Sequence, residues 1–277
     1  MTLSAKRDAD QYFTTGNARL RYRDTGRGPP MLMVHGWTLD LEMWEPQAAA
    51  LCDAFRVVRF DRRGFGLSSG CPSVALDPAD IGSLCEHLAM DRVALLGMSQ
   101  GVRAVLGFAL TAPARISCLI VDGPPDYSRK AVSADDDVPL NRYRALVRSH
   151  GIAAFRREWS AHPLLSLTTS DPRMREILDG MIGRYPGNDL AQLGVYDEVP
   201  TGRAPIGSVD LPTLVITGDR DLPSRTRAAD DLARQLPGAV RSIIPAAGHL
   251  PNLDNPEVYN AVVRTFLERN AAATRRA

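Results

Sequence analysis

The chain has 277 residues, with 33 Lys plus Arg set against 32 Asp plus Glu, a formal net charge of +1. A chain of this length can bury about 70–75% of its unfolded surface without disulfide or metal staples, and its charge balance leaves no basic excess to drive binding to nucleic acid or an anionic membrane. Apolar residues make up 44% and charged residues 23%, the composition of a globular protein and not of a disordered one. No apolar run approaches the roughly 18 residues of a membrane helix. Residues 1–11 carry Asp8 and Asp10 and no apolar stretch, so no signal peptide is read there and a cytoplasmic location is expected. The four cysteines, Cys52, Cys71, Cys85 and Cys118, form no C-x-x-C pair and read as free thiols, not as a zinc site or a disulfide framework.

Taken along the chain, residues 18–22 alternate, with Ala18, Leu20 and Tyr22 on one face and Arg19 and Arg21 on the other, which predicts a half-exposed strand. Residues 31–34, 57–60, 93–96, 116–121 and 214–217 are short apolar runs, suited to a parallel sheet covered on both faces. Residues 241–245 are a weaker last strand. Helical spacing occupies 41–52, 79–88, 101–110, 225–236 and 256–269. This alternation predicts an α/β domain. It breaks between 124 and 207, where 141–150, 152–160 and 173–184 have helical spacing, a Pro186-Gly187 turn follows, and a loop is expected near 200–205. Residues 1–123 and 208–277 are therefore read as one core and 124–207 as an inserted helical cap. A disordered linker would strand Leu146, Phe155, Trp159, Leu165, Ile177 and Met181 in water. Residues 271–277 read as a frayed tail.

The strongest chemical signal is Gly97-Met98-Ser99-Gln100-Gly101, a G-x-S-x-G run between a buried strand and a helix. A tight strand–turn–helix leaves no room for side chains two residues either side of the serine, whose hydroxyl is then exposed. A serine hydroxyl needs a base to become a nucleophile, and the base needs an orienting carboxylate. Asp219 and Asp221 follow the strand at 214–217, Asp122 ends the strand at 116–121, and His249 lies in the loop after the weak last strand. These are strand C-terminal ends, where α/β sheets place their sites. His87, His150 and His162 sit in or beside helical patterns and read as surface or packing residues. His35, next to Gly36, reads as a loop-holding residue.

Two further patterns have plainer readings. Gly64-Phe65-Gly66-Leu67-Ser68-Ser69-Gly70 approaches a dinucleotide fingerprint, but its third glycine is out of register and no helix opens after it, which leaves a structural turn. Arg142, Arg144, Arg148, Arg156 and Arg157 are offset by Asp135, Asp136, Asp137, Glu158 and Asp171, which reads as a solvated helical face.

Four segments together resemble the α/β-hydrolase superfamily in order and spacing: His35-Gly36-Trp37, Asp61-Arg62-Arg63-Gly64-Phe65-Gly66-Leu67-Ser68, the serine elbow, and Gly218-Asp219-Arg220-Asp221 followed by His249. The stretches 34–45 and 60–66 resemble its bacterial aryl-esterase and cofactor-free haloperoxidase branch, although the elbow differs from that branch's usual Phe-Ser-Met-Gly-Gly. The resemblance implies the α/β-hydrolase fold, a mostly parallel sheet flanked by helices. It implies Ser99 as nucleophile, His249 as base and Asp221 as the acid, ranked ahead of Asp122 and Asp219. It also implies an oxyanion hole made by the backbone N–H groups of Trp37 and Gln100. The expected function is hydrolysis of a small or medium carboxylic ester, with no metal or organic cofactor. Lactone hydrolysis, carbon–carbon bond hydrolysis and perhydrolysis use the same residues, and a non-catalytic ligand-binding module is the alternative from another class. The expected partner is a small-molecule ester, with no nucleic acid or membrane; a second copy of the chain is left open.

Overall fold

The computed structural model describes residues 9–127, 137–191 and 205–274. Its centre is an eight-stranded sheet in the order β1-β2-β4-β3-β5-β6-β7-β8. The strands are β1 (Gln11–Thr15), β2 (Ala18–Thr25), β3 (Pro30–Val34), β4 (Arg56–Phe60), β5 (Val93–Met98), β6 (Ile116–Asp122), β7 (Thr213–Gly218) and β8 (Val240–Ile244). From β4 to β8 every neighbouring pair is parallel, while β2 runs antiparallel to both β1 and β4. The expected α/β fold is observed, with the predicted strands in place. The hairpin strand β1 was not anticipated, because only Phe13 of its five residues is buried and no apolar run marks it.

Successive side chains of a strand point to opposite faces, and the core divides accordingly. Leu32, Val34, Leu95, Leu119, Val121 and Val215 pack with α2 (Asp77–His87), α3 (Gln100–Thr111) and α7 (Pro223–Gln235). Met31, Met33, Leu96, Ile120 and Ile216 pack on the other side with α1 (Glu45–Leu51) and α9 (Pro256–Thr274). The latter cluster continues without a break into the helices between β6 and β7: α4 (Leu140–Ser160), α5 (Pro172–Arg184) and the short α6 (Asn188–Ala191). Gly151 interrupts α4 with φ 77° and ψ 170°, which makes it the two successive helices predicted there. Phe155, Trp159, Leu165 and Met181 are all buried, with Leu146 and Ile177 packed against them. A four-residue helix, α8 (Pro251–Asp254), follows His249. Helix α9 runs on to Thr274, past the expected start of a frayed tail. The predicted loop at 200–204 and Asp135 and Asp136 lie outside the described residues. The predicted helix at 41–52 begins as a 3-10 turn at Leu41–Trp44 before α1.

Two expectations about charge are corrected. β2 is not half-exposed at Arg21: that side chain is 1% exposed, with its Nε 3.3 Å from the buried Asp61 carboxylate and its Nη2 3.4 Å from Glu42. The turn after β4 and the Leu41–Trp44 segment cover that face. Nor is the arginine-rich face of α4 fully solvated, because Arg144 is buried. Arg142 does pair with Glu158 on the surface.

The glycine-rich run after β4 is a structural turn. Asp61 Oδ2 accepts the Leu67 N–H at 2.8 Å, and Oδ1 accepts the Leu41 N–H at 2.9 Å. Gly66 has φ 53°, and a Cβ there would lie 2.3 Å from Asp61 Oδ2. Gly66→Ala is therefore expected to cost more than about 1 kcal/mol. In a thermal melt that is a fall of at least about 2–4 °C. Gly16→Ala, at φ 55° but with nothing within 4 Å, should cost less. Equal melting temperatures for the two variants would show that the Asp61 turn is not rigid.

Candidate active site

β5 ends at Met98, and α3 begins at Gln100, so Ser99 is the whole of the connection. Its backbone sits at φ 50°, ψ −119°, a region that non-glycine residues rarely occupy. The two glycines of the elbow make this geometry feasible. A Cβ on Gly97 would meet Gly101 O and Val105 Cγ2 at 2.7 Å, and one on Gly101 would meet the Val34 and His35 carbonyl oxygens at 2.6 Å. The Ser99 N–H donates to the Asp122 carbonyl at 2.7 Å, which ties the elbow to the end of β6.

His249, from the loop after β8, brings its Nε2 to 3.1 Å from Ser99 Oγ. Its Nδ1 lies 3.1 and 3.0 Å from the two oxygens of Asp221. Asp221 stands in the turn after β7, and its Oδ1 also accepts the Leu222 N–H at 2.7 Å. Both side chains are buried, at 4% and 0% exposure. Gly123, at φ 52°, lets the imidazole lie close: a Cβ there would be 2.8 Å from His249 Cε1. The three residues selected from the sequence thus form one hydrogen-bonded chain.

The competing aspartates have other partners. Asp219 is exposed, accepts the Ala247 N–H at 3.0 Å, and has its carboxyl pulled down chiefly by that bond. Asp122 is buried and accepts the Tyr259 hydroxyl at 3.1 Å. Burial pushes its carboxyl well above the usual range, and the nearby Asp221 charge adds to the effect. His35 is likewise buried, and its Nε2 accepts the Arg62 N–H at 2.8 Å while Nδ1 faces the Gly36 carbonyl at 2.7 Å. It holds the loop, as expected.

Trp37 and Gln100 both border the cleft that Ser99 and His249 open into, which has about 610 Å³ of empty volume. Sequence reasoning did not find what holds these two residues. The Gln100 side chain accepts Arg62 Nη1 at 2.9 Å, and Arg62 is in turn forked onto Asp77. The Trp37 indole N–H donates to buried Asp189 of α6 at 2.6 Å, and the Tyr185 hydroxyl donates to the same carboxylate. Burial raises the Asp189 carboxyl above its ordinary range, against the lowering effect of these two donors. Thr38, at φ 64°, donates to the Trp37 carbonyl at 2.6 Å and accepts the Trp159 indole N–H of α4 at 2.8 Å. Arg184 of α5 reaches Asp40 at 2.8 Å. All three helices between β6 and β7 therefore contact residues 37–40. These contacts join residues more than 100 positions apart, and no local pattern announces them.

Among the described residues, no helix is long and apolar enough to cross a membrane. The family model described as "Alpha/beta hydrolase family" matches residues 31–262, and the chain belongs to that family. It is 28% identical over 264 residues to the pimeloyl-[acyl-carrier protein] methyl ester esterase of Nitrosomonas europaea, covering 87% of this chain and 97% of that one. An esterase from Thermogutta terrifontis superposes with a TM-score of 0.77 at 28% identity, covering 95% of this chain and 99% of its own. The bromoperoxidase of Bacillus anthracis shares the fold, with a TM-score of 0.78 at 24% identity, covering 94% of this chain and 100% of its own. The chain is also 27% identical over 267 residues to the putative non-heme chloroperoxidase of Synechocystis sp., covering 89% of this chain and 94% of that one, so within the family it resembles the esterase and haloperoxidase branch.

Burial, and after it the Arg62 charge, hold His35 well below the ordinary histidine range. The folded protein keeps this imidazole neutral, while the unfolded chain binds a proton near pH 6.5. Stability is thus full above that value and is lost as pH falls below it toward the folded value, by up to about 1.4 kcal/mol per pH unit from this group. Urea unfolding from pH 7.5 to 5 should show the decline, and His35→Gln should flatten it. An unchanged slope in that variant would assign the decline to other groups.

Proposed function

We propose that the protein is a serine hydrolase that cleaves small or medium carboxylic esters through an acyl-Ser99 intermediate. The observation that carries this reading is the continuous chain from Ser99 Oγ through His249 to Asp221. His249 Nε2 accepts the hydroxyl proton as Oγ attacks the ester carbonyl carbon, then delivers it to the departing alcohol oxygen as the acyl C–O bond breaks. Asp221 fixes the tautomer with Nδ1–H and stabilises the imidazolium. The backbone N–H groups of Trp37 and Gln100 hold the oxyanion, an interaction whose loss costs about 10²–10³ in kcat per donor. Water then repeats the sequence and releases the acid. The ester-cleaving relatives support this chemistry.

Residues 124–207 are assigned as a cap over a core of 1–123 and 208–277. Its grip on residues 37–40 gives the cap a part in the chemistry, because those residues carry the Trp37 amide. Trp159→Phe keeps the aromatic packing and removes the bond to Thr38. It should lower kcat for ester hydrolysis about tenfold, or ~1.4 kcal/mol of barrier, with KM little changed. A rise in KM alone would make Trp159 a substrate-packing residue.

The reading is tested with a panel of p-nitrophenyl esters and a fluorophosphonate probe. Wild-type protein should gain one probe mass mapped to Ser99, and Ser99→Ala should fold, resist labelling and lose at least about 10³-fold in kcat. Asp221→Asn should cost on the order of 10⁴-fold through the wrong tautomer, and Asp122→Asn far less. Turnover that survives in folded Ser99→Ala would end the proposal.

A further inference from the structure

The loop 245–250 between β8 and α8 carries His249, and its peptide groups bond outward to other parts of the chain. The Asn255 side-chain amide donates to the Pro245 carbonyl at 3.0 Å, the Thr168 hydroxyl to the Ala246 carbonyl at 2.5 Å, and the Arg220 N–H to the Ala247 carbonyl at 2.8 Å. The Ala247 N–H donates to Asp219, and the Gly248 N–H donates to Asp254 Oδ2 at 2.7 Å. Ala246 sits at φ 55°, a conformation that a non-glycine residue keeps only where its surroundings hold it.

Among these partners Asp254, the last residue of α8, joins two segments. It is buried, and its other oxygen, Oδ1, accepts the Thr168 N–H at 2.6 Å and the Thr169 N–H at 3.2 Å. One carboxylate therefore ties the peptide before His249 to the chain between α4 and α5, 86 and 85 positions away. Burying a carboxylate is costly unless its oxygens are bonded, and bonds to an ionised acceptor are about twice as strong as neutral ones. α8 is fixed in its turn. Asn252 Nδ2 donates to the Met43 carbonyl at 2.9 Å, and Gln47 Nε2 donates to the Asn252 carbonyl at 2.9 Å. A shift of the Gly248 peptide is a shift of the His249 backbone, and about 1 Å of misplacement can cost about 10²-fold in rate.

We propose that Asp254 is the positioning residue for His249: it holds the preceding peptide against residues 168–169, so that the imidazole keeps its place between Ser99 and Asp221. The inference rests on the serine-hydrolase reading above and deepens it. Asp221 orients the ring, and Asp254 orients the backbone that carries the ring. An asparagine at 254 would have one acceptor oxygen and one donor nitrogen. Either the Gly248 N–H or the two threonine N–H groups would then face a donor, and one side of the junction would open.

The test reads Asp254→Asn in two ways. On a p-nitrophenyl ester, kcat should fall at least about tenfold while KM stays within about twofold. In a His249→Gln background the same substitution should cost less than about twofold, because the imidazole through which it acts is gone. Equal losses in the two backgrounds would make Asp254 a residue of the fold alone and overturn the proposal. The second reading needs no turnover: ¹⁵N-histidine NMR in alkaline buffer, with the His249 signals assigned by their absence from His249→Gln. Neutral His249 should carry its proton on Nδ1, facing Asp221, in the wild type and should mix both tautomers in Asp254→Asn. A folded Asp254→Asn protein with the wild-type tautomer, or with the wild-type kcat, overturns the proposal. Ester turnover with an unchanged tautomer keeps the hydrolase and rejects the anchor. Wild-type protein that neither cleaves esters nor takes the fluorophosphonate, but whose tautomer shifts in Asp254→Asn, does the reverse. If Asp254→Asn does not fold, Thr168→Val decides. Its side chain is exposed and gives up the bond to the Ala246 carbonyl, and kcat should fall about threefold with the same mixing of tautomers. An unchanged kcat and tautomer there overturn the proposal.

Discussion

The strained backbone at Ser99 is the constraint from which the site is built. A non-glycine residue at positive φ outside the usual left-handed well costs of order 1–3 kcal/mol, and it persists only where its surroundings over-determine it. Here they do so from three sides. β5 lies between β3 and β6. The loop after β3 approaches so closely that a Cβ on Gly36 would fall 2.8 Å from Met98 Sδ and 3.2 Å from Ser99 Cβ. The end of β6 supplies the carbonyl that accepts the Ser99 N–H. Relaxing the serine would require these three strand ends to separate, and with them Gly123, on which the imidazole rests. The same interlock brings Trp37, Ser99 and His249 to one mouth.

The helices between β6 and β7 extend that interlock. Trp37, Phe155 and Trp159 pack ring against ring, with the two indoles 4.9 Å apart. Apolar packing of this kind is strong but weakly directional. Direction comes from the polar contacts inside it: Asp189 to Trp37, Trp159 to Thr38, and Arg184 to Asp40. An unpaired carboxylate or hydroxyl there would carry the full penalty of a buried polar group. That penalty favours one register of these helices over the sheet, and it ties residues 37–40 to both.

What was legible in the sequence divides along the same physical line. β3, β5 and β6 are buried on both faces and read as apolar runs, and the elbow announced itself because its glycines answer a local steric demand. His249 and the three candidate aspartates were legible because they follow strand ends, and the preference for Asp221 came from the family resemblance. β1 was not, since an edge strand with one buried residue carries no periodic signal. Arg21 alternates correctly with Leu20 and Tyr22, yet it is buried through Asp61, forty residues further on.

The two aspartates at the ends of β6 and β7 show how similar residues acquire different work from their surroundings. Asp122 ends β6 and Asp221 stands in the turn after the adjacent parallel strand β7, so both carboxylates come from one edge of the sheet. Asp122 is enclosed, with one oxygen on Tyr259 and the other without a hydrogen-bond partner among the described residues. Burial favours its neutral form, and the neighbouring charge of Asp221 pushes in the same direction. The Tyr259 hydroxyl, itself buried, is held well above its ordinary range and keeps its proton. A neutral Asp122 adds no second negative charge next to Asp221, the carboxylate that His249 Nδ1 faces. The enclosure of Asp122 thus does for His249 what the glycines do for Ser99: it removes an alternative.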